Sequence, residues 1–478
     1  GNDRSDIFGS LSANGRVFLV NPNGVLFAPS ATVDVGSLVA STLAIENADF
    51  LAGRYLFSGA GGSVVNAGRI NAADKGTVAL LGGDVRNDGT IVARLGSVIL
   101  GAGGRMTLDL SGDGLSQLTI SQGALDALVA NGGALIADGG QVLLSAQALG
   151  ELVGTVVNQG GVVRARSLTE RNGRIVLDGG DAGNTMVTGT VDASGPAAGT
   201  TGGEIQVLGH HVGVASAASL DASGRAGGGR VLVGGDYQGA NPAVRNAAAT
   251  WFGPQASIRA DAIDSGNGGT VVVWSDGPTR AYGSISARGG SGGGNGGLVE
   301  TSGHWLDVAG LRVDAGASAG LAGTWLLDPF DMRIVPNPPS LPLVALFAAG
   351  DVTFEAAGSS STVTDGTIVA ALNSGANVTV RTSTNQSDPT SELGDLSMDG
   401  AAAIQYAGAA PVKLTLAAYR DIRIEPGARI VALPGAGSLA LDLNADMVGA
   451  GTGSVDIFGA SIVTNGGAFR IFGQSDAV

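Results

Sequence analysis

The chain has 478 residues, a formal net charge of −15 and 44% hydrophobic residues, with 82 glycines, 15 prolines and no cysteine. It is too apolar for a disordered protein, and its glycines lack the strict triplet period of collagen. The missing cysteines exclude a disulfide scaffold or thiolate site, and an acidic chain with scattered basic residues argues against nucleic-acid binding. No run of about 18 apolar residues occurs, so the sequence predicts no membrane-spanning helix.

The first predicted elements are two short strands joined by a tight turn. Val17–Val20 and Val25–Phe27 are apolar, and only Asn21-Pro22-Asn23-Gly24 separates them. Proline presets φ at the second turn position, Asn tolerates the third, and Gly suits the fourth. The segment Val33–Thr42 follows these strands.

These segments resemble a known family. Asn21-Pro22-Asn23-Gly24-Val25 and Val33–Thr42 are similar to signature segments in the secretion domain of the filamentous-haemagglutinin family, the exoproteins of two-partner secretion in Gram-negative bacteria. The resemblance implies a right-handed parallel β-helix that is secreted, associates with the cell surface and is exported by an outer-membrane transporter with periplasmic POTRA domains. It makes Asn21, Pro22, Asn23 and Gly24 the predicted secretion motif. It also predicts that the signal peptide and the first part of the domain lie upstream of Gly1.

Internal repeats favour the same architecture without the resemblance. Asn66–Ala72 and Asn87–Ala93 share the pattern Asn-x-Gly-x-Ile-x-Ala, and Asn158–Ala165 is a looser copy that begins with Asn158. Short strands after glycine, and apolar-x-Ala units before small-residue turns, recur along the chain. Such periods predict a solenoid, because one coil cannot bury its apolar face without its neighbours. The predicted class is therefore all-β, with short helical and β-hairpin excursions.

Two stretches depart from the β pattern. Ser121–Asn131 and Asp365–Asn373 have helical apolar spacing and stop at Gly-containing ends, so we expect helices there. Val335–Pro342 holds four prolines, which cannot occupy central strands, and predicts a junction. Beyond it the pattern predicts strands, which are Asp351–Glu355, Asn377–Thr382, Lys413–Leu416 and Asp421–Ile424.

These features divide the chain into four predicted segments. Residues 1–110 are the C-terminal portion of the secretion domain, and residues 111–334 are a β-helix shaft of the adhesin type. Residues 335–350 form the proline-rich junction, and residues 351–478 are a second β-helical stretch that is truncated at its C-terminus.

A second resemblance covers Gly269–Pro329. Segments such as Val271–Asp276, Gly297–His304 and Gly323–Pro329 look like those of the high-molecular-weight adhesins. For the individual residues we favour packing roles, with Trp274 and Trp325 capping or filling the coil interior.

Catalysis finds little support in the sequence. The three histidines are His210, His211 and His304, and no motif for zinc hydrolysis, nucleophilic catalysis or phosphate binding occurs. Adjacent His210 and His211 would face opposite sides of a strand and could not chelate one metal together. Carboxylates that could serve a polysaccharide-degrading β-helix stand in turn contexts, and these are Asp178, Asp181, Asp192, Asp221 and Asp261. We expect no enzyme activity, no cofactor and no metal site.

Two sequons mark candidate glycosylation sites at Asn377 and Asn385. The leading functional hypothesis is a surface adhesin that forms a rigid rod and attaches to a receptor or glycan on a host cell or bacterium. Three alternatives stay open at this point: the delivery stalk of a contact-dependent inhibition toxin, a haem-acquisition exoprotein using His210, His211 or His304, and a polysaccharide hydrolase or lyase.

Overall fold

The structure is a computed structural model that describes residues 3–60, 62–110, 115–149, 155–169, 171–215, 217–337, 360–383, 393–447 and 453–473. The chain forms two compact units. Unit 1 is Gly1–Arg225 with Gly229–Leu232, and unit 2 is Ala226–Gly228 with Val233–Val478. The four-segment division predicted from the sequence stays a prediction.

Unit 1 is built from short strands, the last of which ends at the unit boundary. They are β1 (Ser5–Ile7), β2 (Ser10–Val20), β3 (Val25–Phe27), β4 (Thr32–Ser41), β5 (Ala44–Ile45), β6 (Tyr55–Ser58), β7 (Ser63–Asn66), β8 (Arg69–Ala72), β9 (Thr77–Gly82), β10 (Asp84–Asn87), β11 (Thr90–Val92), β12 (Ser97–Ala102), β13 (Arg105–Asp109), β14 (Gln117–Gln122), β15 (Leu128–Asn131), β16 (Ala134–Ile136), β17 (Gln141–Ala146), β18 (Thr155–Gln159), β19 (Val162–Arg164), β20 (Arg174–Asp178), β21 (Asn184–Val187), β22 (Thr190–Asp192), β23 (Glu204–Leu208), β24 (His211–Val214), β25 (Ser219–Asp221) and β26 (Arg230–Val233).

Most of these strands belong to three parallel ladders, to which successive coils contribute in turn. The first ladder passes through β1, β3, β7, β10, β15, β18, β21 and β24. The second passes through β2, β4, β8, β11, β16, β19, β22 and β25. The third passes through β4, β9, β12, β17, β20 and β23. This architecture is a parallel β-helix, so the predicted fold is confirmed.

The core of each coil is a set of stacked aliphatic side chains. Val85 pairs with Val64 of the preceding coil, and Ile91 pairs with Ile70. All four are fully buried. Because side chains alternate along a strand, every second residue points into the coil and stacks on its equivalent in the neighbouring coil.

Glycine is needed where the corners of successive coils touch. A Cβ on Gly89 would lie 2.0 Å from the Gly68 carbonyl oxygen, and a Cβ on Gly133 would lie 2.0 Å from that of Gly89. Gly161 and Gly189 continue this column, with corresponding distances of 2.1 Å to the carbonyl below. No side chain can be accommodated at that separation, which explains part of the unusual glycine content.

One antiparallel sheet lies outside the three ladders of unit 1. It has the strand order β14-β13-β6-β5. Phe57, Met106 and Leu108 of this sheet pack against Val39 and Ile99 of the parallel ladders in one buried cluster. The predicted hairpin excursion is therefore present.

Unit 2 contains the remaining described strands. They are β27 (Ala249–Phe252), β28 (Ser257–Arg259), β29 (Thr270–Ala281), β30 (Ser284–Ser286), β31 (Leu298–Asp307), β32 (Arg312–Asp314), β33 (Thr324–Asp328), β34 (Met332–Val335), β35 (Ser361–Thr364), β36 (Asn377–Arg381), β37 (Leu396–Met398), β38 (Ala403–Tyr406), β39 (Val412–Ala417), β40 (Ile422–Ile424), β41 (Arg429–Ala432), β42 (Leu439–Ala445), β43 (Val455–Ile457), β44 (Ser461–Val463) and β45 (Phe469–Gly473). Its longest parallel ladder passes through β29, β31, β33, β36, β39, β42 and β45.

Two α-helices are described, α1 (Asn47–Leu51) and α2 (Asp365–Asn373). The prediction of α2 is confirmed, and the Thr364 hydroxyl caps it by accepting the Thr367 N–H at 3.2 Å. The predicted helix at Ser121–Asn131 is wrong, because β14 and β15 occupy most of that range. The strand forms because β15 pairs with β10 on one side and β18 on the other. This tertiary pairing overrides the weak local preference for a helix.

The strands predicted after the proline-rich segment occur at Asn377–Arg381, Val412–Ala417 and Ile422–Ile424. The predicted strand Asp351–Glu355 and most of the predicted junction, residues 335–350, lie outside the described residues. None of the helices among the described residues has the length and apolar character that crossing a membrane requires.

Candidate secretion site

The predicted turn forms between β2 and β3. The Gly24 N–H donates to the Asn21 carbonyl oxygen at 3.0 Å, which closes a four-residue β-turn. Gly24 has a φ of 125°, a conformation that favours glycine. A Cβ there would also lie 3.0 Å from Cγ of Arg4. Backbone conformation and space therefore both select glycine at the fourth turn position.

Asn21 connects the turn to two other segments. Its amide nitrogen donates to the Asp3 carbonyl oxygen and the Ser5 hydroxyl, both at 2.9 Å. The side-chain oxygen of Asn21 accepts the Asn23 backbone N–H at 3.0 Å. The backbone N–H of Asn21 donates to the Ser41 carbonyl oxygen at 2.9 Å. One half-buried side chain thus fixes the turn to the first strand, while its backbone fixes the turn to β4.

The turn presents a different pair of side chains to solvent. Pro22 and Asn23 are exposed, whereas Gly24 is buried. The following Val25 and Phe27 are fully buried in the coil. The four motif residues therefore separate into a structural anchor at Asn21, an exposed pair at Pro22 and Asn23, and a conformational requirement at Gly24.

The second signature segment, Val33–Thr42, lies in β4 and just beyond it. This strand pairs with β2 on one side and with β8 and β9 on the other. Leu38, Val39 and Ala40 are fully buried. Both signature segments therefore belong to one region of unit 1, where they join the first coils.

A buried row of amides, which we call the asparagine ladder, follows these coils. It consists of Asn66, Asn87, Asn131 and Gln159, all at most 1% exposed. Each amide nitrogen donates to the amide oxygen of the next residue, and all three of these bonds are 2.7 Å long. Fully satisfied buried amides of this kind specify one stacking register.

The repeat in the sequence predicted part of the asparagine ladder. The Asn-x-Gly pattern selected Asn66 and Asn87, but the looser copy was aligned on Asn158. The structure places Gln159 in the row and leaves Asn158 exposed. A shift of one residue reverses the side-chain direction in a strand, so the alignment at Asn158 is wrong.

The other sequence candidates are not part of this site. Asn377 is half-buried in β36, where its amide oxygen accepts the Lys413 N–H at 2.8 Å, and Asn385 lies outside the described residues. Glycosylation at either position stays a prediction. The candidate carboxylates include turn caps: Asp192 accepts the Ser194 N–H at 3.0 Å, and Asp221 accepts the Ser223 N–H at 2.9 Å.

The expectation that His210 and His211 face opposite sides is wrong. Their ring centroids lie 4.5 Å apart, because His210 occupies the bend before β24. Burial and the neighbouring His210 lower the pKa of His211. His304 instead packs against the Phe330 ring, with centroids 4.1 Å apart. Across the described ranges, no group of three or more histidine, aspartate or glutamate side chains is placed to hold a metal ion.

Comparison with known proteins agrees with this geometry. Residues 1–207 match the TPS secretion domain family. The structure is similar to the HMW1 secretion domain from Haemophilus influenzae, with a TM-score of 0.55 and 30% identity over 68% of this chain and 87% of that one. This chain belongs to the two-partner secretion exoproteins. Exoproteins of this family are secreted across the outer membrane.

Two curated relatives within the family carry a functional name. Heme/hemopexin-binding proteins from Haemophilus influenzae are 33% identical over 190 residues and 30% identical over 203 residues. These matches cover 38% and 37% of this chain. The exoprotein described here spans about a fifth of the length of these relatives, 21% in both cases.

Proposed function

We propose that unit 1 is the export region of a surface adhesin, recognised by the POTRA domains of a partner outer-membrane transporter. The observation that carries this proposal is the turn Asn21–Gly24, which fixes the first coils and leaves Pro22 and Asn23 exposed. Anchoring and recognition thereby fall on adjacent residues of one motif. The mechanism is mechanical rather than catalytic.

The repeated coils suit this role energetically. Each coil contacts its neighbours through parallel ladders, so a folded coil is a template for the next one. Coils that fold outside the membrane cannot return through the transporter, and this biases movement outward. A stack of such coils is rigid enough to hold a receptor-binding region away from the cell.

Alanine substitutions at Asn21 and Asn23 test the export role. The full-length gene would be co-expressed with its transporter, and secreted protein would be measured in the medium. Asn21→Ala removes the side chain that ties the turn to the segment before it. Asn23→Ala changes an exposed side chain, whose amide nitrogen also donates to the Asn21 amide oxygen at 3.4 Å. Asn158→Ala, exposed on β18, is the matched control.

We expect both motif variants to lower secretion and the control to be secreted normally. If Asn23→Ala retains wild-type secretion and only Asn21→Ala loses it, the turn is structural and its exposed face is not the recognition surface. If both variants are secreted at the wild-type level, the proposed role of the motif is wrong.

The adhesive role needs a separate experiment. Strains with and without the full-length gene would be compared for attachment to epithelial cells and to immobilised glycans. Equal attachment by both strains would contradict the adhesin proposal without affecting the export proposal.

A second candidate function is binding of a haem carrier, and the names of the two curated relatives favour it. The adjacent rings of His210 and His211, both half-buried, are the residues to test. Haem titration of the purified chain should give a Soret shift that His210→Ala with His211→Ala removes. No shift, together with unchanged growth on haem–haemopexin after deletion of the gene, would argue against this function.

A further inference from the structure

An outward-facing column of side chains in unit 2 is buried. Val272, Glu300 and Leu326 stack in register across β29, β31 and β33. Val272 and Glu300 are fully buried, and Leu326 is 6% exposed. Their neighbours Val299 and Thr301 are fully buried on the interior face, so alternation directs the column away from the coil interior. Another segment must cover it.

That segment is residues 234–248, which we call the latch segment. It lies against Trp274, as a Cβ on Gly235 would be 2.5 Å from the indole ring and one on Gly239 would be 2.6 Å from it. The Asn246 amide nitrogen donates to the Gly239 carbonyl oxygen at 3.0 Å and to the Asp276 carboxylate at 2.9 Å. The latch segment is thus folded on itself and tied to β29.

The apex of the latch segment contacts Glu300 directly. The Gln238 N–H points at both carboxylate oxygens of Glu300, at 3.2 and 3.1 Å. Gln238 has a φ of 55°, in the left-handed region that is strained for a residue other than glycine. With its side-chain amide oxygen turned toward Arg381, Gln238 also accepts from both terminal guanidinium nitrogens at 2.8 and 2.9 Å. Gln238 therefore contacts Glu300 through its backbone and Arg381 through its side chain.

The Glu300 carboxylate is buried without a directly bound cation in the described part of the structure. Within the described ranges it forms no ion pair, because Arg381 is paired with Asp328. The charged groups that act on Glu300 are Asp328 and Arg381, from the strands beside it. Tyr237 of the latch segment acts on Arg381. Burial, with a smaller contribution from Asp328, raises the pKa of Glu300 to about 7. Hydrogen bonds from the Gln238 N–H and Ser302, and the charge of Arg381, oppose this shift.

We propose that the latch segment is a pH-dependent latch on the outer face of unit 2, which binds one proton at Glu300 when it closes. Opening returns Glu300 to water, where its pKa is the ordinary 4.5. The closed state therefore holds more protons between pH 4.5 and about 7, and acidification favours closure. The opening equilibrium constant should rise about tenfold per pH unit across that range and become constant above it.

Hydrogen–deuterium exchange of the whole chain, read by mass spectrometry, tests the latch. Protection of peptides from residues 234–248 would be measured from pH 5 to pH 8.5 and corrected for the intrinsic pH dependence of amide exchange. In the wild type, we expect corrected protection to fall about tenfold per unit up to pH 7 and then level off. Peptides from β39 are the internal reference.

Glu300→Gln keeps the shape of the side chain but cannot titrate. We expect its latch peptides to be as protected at pH 8 as wild type is at pH 5, with no pH dependence. Glu425→Gln, at an exposed ion pair with Arg423, removes the same charge from unit 2 and should follow the wild type. Flat wild-type protection, or an unchanged slope in Glu300→Gln, would overturn the proposal. If Glu300→Gln fails to fold by circular dichroism, the wild-type titration against the β39 reference decides alone.

Discussion

Replacing Asn87 with alanine should destabilise unit 1 more than replacing Gln159 at the end of the asparagine ladder. Asn87 is fully buried, accepts from Asn66 at 2.7 Å and donates to Asn131 at 2.7 Å. Alanine at this position removes both hydrogen bonds at once. The Asn66 amide N–H and the Asn131 amide oxygen then stay inside the coil without their hydrogen bonds.

The expected magnitude follows from those two groups. A buried polar group left unsatisfied costs about 1 to 3 kcal/mol, so Asn87→Ala should lower the free energy of unfolding by about 3 kcal/mol. Gln159→Ala should cost about 1 to 2 kcal/mol, because the Asn131 amide keeps a contact with the Val162 carbonyl oxygen at 3.4 Å. Asn158→Ala, exposed on the same strand as Gln159, should stay within about 0.5 kcal/mol of the wild type.

Urea unfolding with pulse proteolysis measures these differences when peptides of unit 1 are quantified by mass spectrometry. Tryptophan fluorescence gives a second readout, since all four tryptophans belong to unit 2. We expect the proteolysis midpoint of Asn87→Ala to fall, with the fluorescence midpoint changing less.

The order of the three variants is the decisive result. If Asn87→Ala is as stable as Asn158→Ala, the buried amide row does not stabilise the coil stack. If Gln159→Ala costs as much as Asn87→Ala, the reasoning from residual contacts is wrong.

Two further substitutions probe the stacking itself. Gly133→Ala should prevent close stacking, because its Cβ would lie 2.0 Å from the Gly89 carbonyl oxygen, whereas at Gly132 the nearest atom is a movable carboxylate oxygen at 3.1 Å. Pulse proteolysis should therefore show a large loss of stability for Gly133→Ala and a small one for Gly132→Ala. Trp325→Phe removes a buried indole bond to the Thr301 hydroxyl at 3.0 Å and should cost unit 2 about 1 to 3 kcal/mol by thermal circular dichroism, partly restored by adding Thr301→Val.

The class of fold could be predicted from the repeats in the sequence, and export by two-partner secretion followed from the family resemblance of Asn21–Val25 and Val33–Thr42. Glycine and asparagine corners at short periods allow only a stack of coils, since no single coil can bury its apolar face. Local chemistry also determined the turn at Asn21–Gly24, because proline and glycine restrict the backbone wherever they occur. The helix at Asp365–Asn373 was predictable for the same reason, as its Thr364 cap and its stop are local.

Which residues face inward, and which segments cover the outer faces, depends on contacts in the folded structure. Asn158 and Gln159 are equally polar neighbours, and pairing with β15 alone selects Gln159 for the asparagine ladder. The apolar spacing of Ser121–Asn131 predicted a helix, yet its end, Leu128–Asn131, is a strand because β10 and β18 pair with it on both sides. The alternation of side chains along β31 places Glu300 on the outer face, yet a segment about 60 residues earlier in the chain buries it. In each case, the observed arrangement is stabilised by contacts between distant parts of the chain, which local sequence patterns do not encode.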